Sequence, residues 1–440
     1  RLNYTPTESQ DVLIEKLSQF ITNPDDNSIF LIKGYAGTGK TSLVAALVKV
    51  LNSLKLKSVL LAPTGRAAKV LSAYADSPAY TIHKKIYRQK SLADALSSFS
   101  MDKNLHSDTL FIVDEASMIA NSSYEKSIFG TGRLLDDLVH YVKSGKRCKL
   151  ILIGDNAQLP PVGLSISPAL DSHELMVYGN SIETILTEVV RQSADSGILY
   201  NATEIRNMIE SQDIRLPRIA TADFPDIESI GGGDLMDKLS DMYSEYGDEE
   251  VMVVCRSNKR ANRYNEGIRQ RILFREEEIE SGDRIMVVKN NYQHLSDNDK
   301  MDFIANGDIA RIKRIYKYEE RYDMCYANVN LEFEDYGEID ITGKIMLDTL
   351  SIETASLPAE RNKELFYMLN EDYAHITQKR KRYDAIREDA FFNALQVKFA
   401  YAITCHKAQG GQWKCIFLDN PFFKKDTITL EDLRWLYTAI

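Results

Sequence analysis

The octapeptide GYAGTGKT, residues 34–41, has the spacing G-x-x-x-x-G-K-[ST]. Loops of this type turn successive backbone N–H groups inward, where they cradle phosphate oxygens. Gly34, Gly37 and Gly39 permit that turn, and Thr38 lies within it. Lys40 is placed to reach β and γ phosphates, Thr41 to hold Mg²⁺, and the helix that should begin here adds its positive end. A Gly-rich turn with no ligand is the competing account, and the predicted strand before and helix after weigh against it. A second candidate is FIVDEAS, residues 111–117. Asp114 at a strand end can hold a metal, and Glu115 can orient and polarise an attacking water. Alone, two adjacent acids would read as a solvated pair. The third is GDNAQLPPVG, residues 154–163, in which Asp155 and Gln158 follow an apolar run and Pro160-Pro161 stiffens the loop. Gln158 is an uncharged donor and acceptor suited to sensing a γ phosphate; a Pro-stabilised turn is the plain alternative.

These residues need a scaffold that brings strand ends together. IFLIKG (29–34), SVLLAPT (58–64), TLFIVDE (109–115) and KLILIGD (149–155) are short apolar runs with polar ends, the pattern of strands buried on both faces. Helical periodicity in TSLVAALVKVLNSL (41–54) separates the first two. Strands joined this way form an open parallel sheet with ligands at the carboxyl ends, where the polar residues lie. The polar, Ser-rich stretch 85–107 interrupts the pattern as a small insertion. VMVVCRS (251–257) opens a second α/β section. Residues 307–341 alternate apolar and polar at period two, which favours antiparallel strands, and residues 360–392 are charged and helix-compatible. The basic run Lys379-Arg380-Lys381-Arg382 reads first as a solvated helix face. VKFAYAITCHKAQG (397–410) returns to strand followed by polar loop.

The composition sets bounds. With 44% hydrophobic and 27% charged residues over 440 positions, the chain should hold more than one globular domain. No apolar run is long enough to span a bilayer, and the first residues do not form a signal peptide. Five scattered cysteines without a CxxC pair argue against a disulfide framework or structural zinc and fit a reducing cytoplasm. The net charge of −10 does not favour a nucleic-acid partner, but a local basic groove can bind phosphate on an acidic protein. No additional acid–lysine cluster suggests a nuclease.

Taken in order, GYAGTGKT, APTGRAAK (62–69), TIHK (81–84), VDEAS (113–117), GDNAQLPPV (154–162), LTEVVRQ (186–192) and AITCHKAQG (402–410) resemble the superfamily 1 helicases. The resemblance is to the type B branch of RecD, Dda and Pif, which includes exodeoxyribonuclease V alpha subunits. It implies an α/β fold of two RecA-like P-loop motor domains, with parallel sheets and flanking helices. The first would comprise residues 1–84 and 108–190, with a small pin-like insertion at 85–107. The second would comprise 191–291 and 394–440, with an SH3-like antiparallel β insertion and its charged helical segment at 292–393. The implied activity is an ATP-dependent DNA helicase translocating 5′ to 3′ on single-stranded DNA, with ATP and Mg²⁺ as cofactors. By position, Gln10 would read the adenine edge, Gly410 would join the nucleotide site, and Arg191 would reach the γ phosphate. Pro63, Thr64, Arg66, His83, Thr404, His406, Lys407 and Gln409 would line a single-strand track, with Lys69 one turn beyond Arg66. Satisfied structural histidines are the plain alternative for His83 and His406, and a surface arginine on a helix is the alternative for Arg191. Implied partners are single-stranded DNA and single-to-double-strand junctions. A monomeric motor off the membrane is implied, with room for replication or repair proteins. An RNA helicase and a nucleotide-switched clamp without unwinding are the rival readings. The final residues LYTAI match the front of a motif that continues Thr-Arg in this family, so the natural protein is expected to run past Ile440 into a second cationic finger.

Overall fold

The computed structural model describes residues 5–25, 27–89, 99–121, 130–188, 196–291, 304–334, 339–420 and 427–440. In chain order, its first eight strands are β1 (Ser28–Gly34), β2 (Lys57–Ala62), β3 (Ala79–Thr81), β4 (Tyr87–Gln89), β5 (Phe99–Met101), β6 (Thr109–Val113), β7 (Lys149–Gly154) and β8 (Asn180–Leu186). The remainder are β9 (Val251–Cys255), β10 (Arg284–Val287), β11 (Ile309–Arg321), β12 (Met324–Phe333), β13 (Ile339–Met346), β14 (Leu395–Phe399), β15 (Ala402–Thr404) and β16 (Cys415–Leu418).

Six strands form a parallel sheet in the order β3-β2-β6-β7-β1-β8. Period-two alternation distributes each central strand over two cores. Ile29 and Leu31 pack with Phe111, Val113 and Leu152 on one face, while Phe30 and Ile32 pack with Ile112, Ile151 and Ile153 on the other. Burying side chains of this size contributes about 1.5–3 kcal/mol each, which explains why these runs are apolar without a break. The two edge strands were not legible as apolar runs: β3 is three residues long, and β8 is only partly buried. The chain leaves β1 and enters β2 with β6 and β7 lying between them. That crossover leaves a crevice at the carboxyl ends of β6, β7 and β1, the expected ligand position in an open α/β sheet.

A second, three-stranded parallel sheet has the order β15-β9-β16. Strands β10 to β14 close a five-stranded barrel, antiparallel except for the β13–β14 pair. The alternating sequence accounts for it: Ile312, Ala327, Val329, Leu331 and Ile345 point into the barrel core. The barrel reaches beyond 292–393, because β10 precedes that stretch and β14 follows it. Buried ion pairs brace it internally and fasten it to helix Asn258–Arg271. Arg284, fully buried, donates to both carboxylate oxygens of Glu334 at 2.9 Å. Arg269 grips Asp283 through two bonds of 3.0 and 2.9 Å. Helices Ala359–Asp372 and Lys379–Glu388 pack on Met324, Tyr326 and Met346 outside the barrel.

Within 85–107, β4 and β5 pair as an antiparallel ribbon, anchored where the Tyr87 hydroxyl donates to Asp137 at 2.7 Å; residues 90–98 lie outside the described set. The last helix, Leu430–Ala439, starts in a capping box in which Thr429 and Asp432 exchange bonds. It buries Leu433, Trp435, Leu436 and Tyr437 against helix Gly197–Glu210 and the second core. No helix among the described residues is long and apolar enough to cross a membrane.

A candidate nucleotide site at the domain cleft

Residues 34–41 leave β1 and enter helix Lys40–Ser53. Gly37 and Gly39 take φ of 74° and 82°, the left-handed region where a side chain is strained. A Cβ on Gly37 would also meet Leu199 Cδ1 at 2.6 Å, so helix Gly197–Glu210 lies directly on the loop. Lys40 Nζ donates to the Gly34 and Tyr35 carbonyls at 2.6 and 2.9 Å and stands 3.7 Å from Asp155. Thr38 donates to the Tyr35 carbonyl at 2.8 Å. Gln10 is fully buried; its amide donates to the Thr38 carbonyl at 3.0 Å and its oxygen accepts from Thr7 N–H at 3.2 Å. Its carboxamide therefore braces the loop.

Asp114 and Glu115 follow β6 directly. Glu115 has a φ of +54°, a sparsely populated conformation for a residue with a side chain, and its N–H donates to Asp114 at 2.9 Å. Burial pushes both carboxyls above the usual carboxylate range. The Asp114 charge raises Glu115 further, and Lys40 opposes both shifts. Asp155, after β7, is likewise raised by burial and held back by Lys40 and the Tyr437 hydroxyl. Thr41, Asp114, Glu115, Gln158, Gln409 and Gly410 line one cleft of about 250 Å³. No cluster of three metal-ligating side chains occurs among the described residues. One hydroxyl and one carboxylate beside a phosphate loop fit Mg²⁺, which keeps several waters and shares phosphate oxygens.

The second half of the chain closes this cleft. Gln409 donates to Gln158 Oε1 at 3.1 Å and to the Leu159 carbonyl at 3.2 Å, while Ser117 donates to the same Gln158 oxygen at 3.1 Å. A Cβ on Gly410, whose φ is +77°, would sit 2.9 Å from Ala67 Cβ. Leu159 N–H donates to Thr438 Oγ1 at 2.8 Å. The Tyr437 hydroxyl donates to Asp155 at 2.7 Å and accepts from Ala36 N–H at 2.8 Å. The Arg206 guanidinium lies 4.8 Å from the Tyr35 ring. Leu199, Arg206, Tyr437 and Thr438 escaped the sequence reading; only LYTAI, which contains the last two, carried any signal. Arg191 lies outside the described residues.

The residues assigned to a single-strand track sit on the turns and first helical residues that follow β2, β3 and β15. Pro63 and Thr64 follow β2, and the Thr64 hydroxyl caps helix Gly65–Ala75 by accepting from Ala67 N–H at 3.2 Å. Arg66 stacks 4.6 Å from the Trp413 ring, and Lys69 donates to the Glu334 carbonyl of the barrel at 2.9 Å. His83 packs 5.8 Å from the Tyr87 ring, and burial lowers its pKa to about 4, so the ring is neutral. Thr404 heads helix Cys405–Ala408 without a side-chain cap bond. Burial lowers the pKa of His406, and lowers that of Lys407 to about 8 against the pull of Asp308. Gln409 is the outlier: it is buried beside Gln158, in the nucleotide cleft rather than on an open track.

Residues 14–215 match the AAA domain family, and residues 399–440 match the UvrD-like helicase C-terminal domain family. The ATP-dependent DNA helicase dda of enterobacteria phage T4 is 28% identical over 268 residues, 58% of this chain and 55% of that one. The ATP-dependent RecD2 DNA helicase of Deinococcus radiodurans is 28% identical over 204 residues, 45% of this chain and 24% of that one. The chain thus spans less than two thirds of either helicase. An uncharacterised protein of Acanthamoeba polyphaga mimivirus is 22% identical over 499 residues, 98% of this chain and 96% of that one. Among solved structures, a Bacteroides Pif1 helicase in complex with ADP-AlF3 and single-stranded DNA aligns over 99% of this chain and 90% of its own, with 15% identity and a TM-score of 0.48.

Proposed function

Because the chain belongs to the RecD/Dda/Pif branch of the superfamily 1 type B helicases, we propose that it is an ATP-dependent DNA helicase moving 5′ to 3′ along single-stranded DNA. The observation that supports this most is the adjacency of three loops at the carboxyl ends of β1, β6 and β7, closed over by Gln409, Tyr437 and Thr438 from the far end of the chain. A cleft whose two walls come from different domains can couple phosphate chemistry to relative motion of those domains.

In this reading Lys40 neutralises phosphate charge, and Thr41 with Asp114 would hold Mg²⁺, which supplies further charge neutralisation at the reacting phosphoryl group. Glu115 orients and polarises the attacking water. Gln158 senses the γ phosphate and, through its bond to Gln409, passes that state to the second sheet. Arg191 serves as a cationic finger. Thr404 and His406, with Pro63 and Thr64 opposite, form the single-strand track; contacts of this kind position a strand without reading its sequence. The β4–β5 ribbon is the base of the pin, and the five-stranded barrel is the SH3-like module. Single-to-double-strand junctions are the proposed substrate. The five unpaired cysteines suit a reducing compartment, the cytoplasm.

The test is ATP turnover with and without single-stranded DNA, followed by unwinding of matched DNA and RNA duplexes. Wild type should hydrolyse ATP faster with DNA, and Lys40→Ala should abolish that stimulation while retaining the wild-type melting temperature. Turnover indifferent to DNA would support a nucleotide-switched clamp instead, and preferential RNA unwinding would support the rival helicase class.

A further inference from the structure

We propose that Tyr437 is a positioning residue whose hydroxyl competes with bound nucleotide for the phosphate loop, so that nucleotide binding releases the final helix. This rests on the reading of residues 34–41 as a nucleotide site. The argument begins from one donor. A backbone N–H makes one strong hydrogen bond. Ala36 N–H, inside a loop whose N–H groups are used to cradle phosphate, is directed at the Tyr437 oxygen at 2.8 Å. The same hydroxyl donates to Asp155 at 2.7 Å, and Asp155 stands 3.7 Å from Lys40 Nζ. The phenol therefore bridges the loop and the acid after β7, and that acid stands beside the loop's lysine. Tyr437 is 5% exposed, so neither bond is diluted by solvent.

Asp155 keeps other partners if the phenol leaves: Ala157 N–H donates to it at 2.9 Å, and Lys40 remains near. Ala36 N–H has only the phenol oxygen among the bonds described, and a phosphate oxygen is the acceptor able to replace it. Tyr437 is also mechanically tied. It lies on helix Leu430–Ala439, one residue before Thr438, which accepts from Leu159 N–H in the Gln158 loop. Its neighbour Trp435 is buried in the core of the second domain. A change at Ala36 is thus transmitted along a rigid helix into that domain.

The test uses the full chain and ADP. Tyr437→Phe keeps the ring and its packing and removes only the competing oxygen. By isothermal calorimetry it should bind ADP roughly three- to tenfold more tightly than wild type, the range expected for removal of one neutral hydrogen bond. Amide exchange at Ala36 should be faster in the nucleotide-free variant than in nucleotide-free wild type, and the two should converge with saturating ADP. The chain has two tryptophans, Trp413 and Trp435, so a second measurement needs no mutation: ADP should shift the intrinsic emission of wild type. Unchanged or weaker ADP affinity in a folded Tyr437→Phe protein overturns the proposal. So does wild-type emission that stays constant while calorimetry records binding. Lys40→Ala separates the two levels: if it binds ADP as wild type does, the nucleotide-site reading fails and this proposal fails with it; if it loses ADP and Tyr437→Phe is indifferent, only the role of Tyr437 falls.

Discussion

Neighbouring carboxyls after β6 face different surroundings, and a single-atom exchange at each should separate their roles. Glu115→Gln keeps shape and hydrogen-bonding capacity but cannot polarise water. It should retain Mg·ADP affinity by calorimetry and lose about 10²-fold or more in ATP turnover, the range for loss of a general base. Asp114→Asn should instead weaken Mg²⁺-dependent nucleotide binding. Equal binding defects in both variants would contradict the division. Gly34, Gly37, Lys40, Asp114 and Glu115 were legible because each belongs to a contiguous run whose spacing carries the chemistry. Gln10 and Gln409 were less so. Both side chains are buried and bonded to protein groups, Gln10 to Thr38 and Gln409 to Gln158, and nothing in the local sequence distinguishes a glutamine that braces a loop from one that faces a ligand. Leu199 on Gly37 and Arg206 on Tyr35 are contacts between distant segments, for which one sequence has no signal.

Elements were read more securely than contacts. The four central strands stood out as apolar runs because both faces of the sheet are covered; edge strands β3 and β8, with one covered neighbour each, did not. The short helix Ile82–Ile86 provides a test at this scale. It is capped by Thr81 and carries His83, whose ring burial holds neutral, with a pKa lowered from 6.5 to about 4. Between these values the unfolded chain takes up a proton that the native protein refuses. Native stability therefore falls as pH falls through that window. His83→Gln removes this contribution, so the drop in urea midpoint between pH 7 and pH 5 should be smaller in the variant than in wild type. An identical drop would mean that the imidazole titrates normally in the folded state, as an open DNA-facing histidine would.

At the scale of the molecule, the contacts between halves decide which groups remain for a strand of DNA. Arg66 is stacked on Trp413 and Lys69 is bonded to the barrel, which leaves Thr404 and His406 as the stronger candidates. Thr404→Ala with His406→Ala should weaken single-strand affinity without changing ADP affinity measured in the absence of DNA. On a chain of net charge −10, wild-type affinity should still fall steeply with salt, at about 0.7 in log K per log salt for each phosphate contacted, and should vary little with base sequence. A strong preference for one sequence in fluorescence-anisotropy titrations would count against a phosphate-and-stacking track. The bond between Ala36 and Tyr437 has one more consequence, in time. It joins residues 401 positions apart. At a synthesis rate of about 5–20 residues per second, roughly 20–80 s separate the emergence of the phosphate loop from that of its phenol partner. Throughout that interval the nascent phosphate loop meets no phenol to compete with nucleotide, and the ribosome delivers the residue that opposes binding only afterwards.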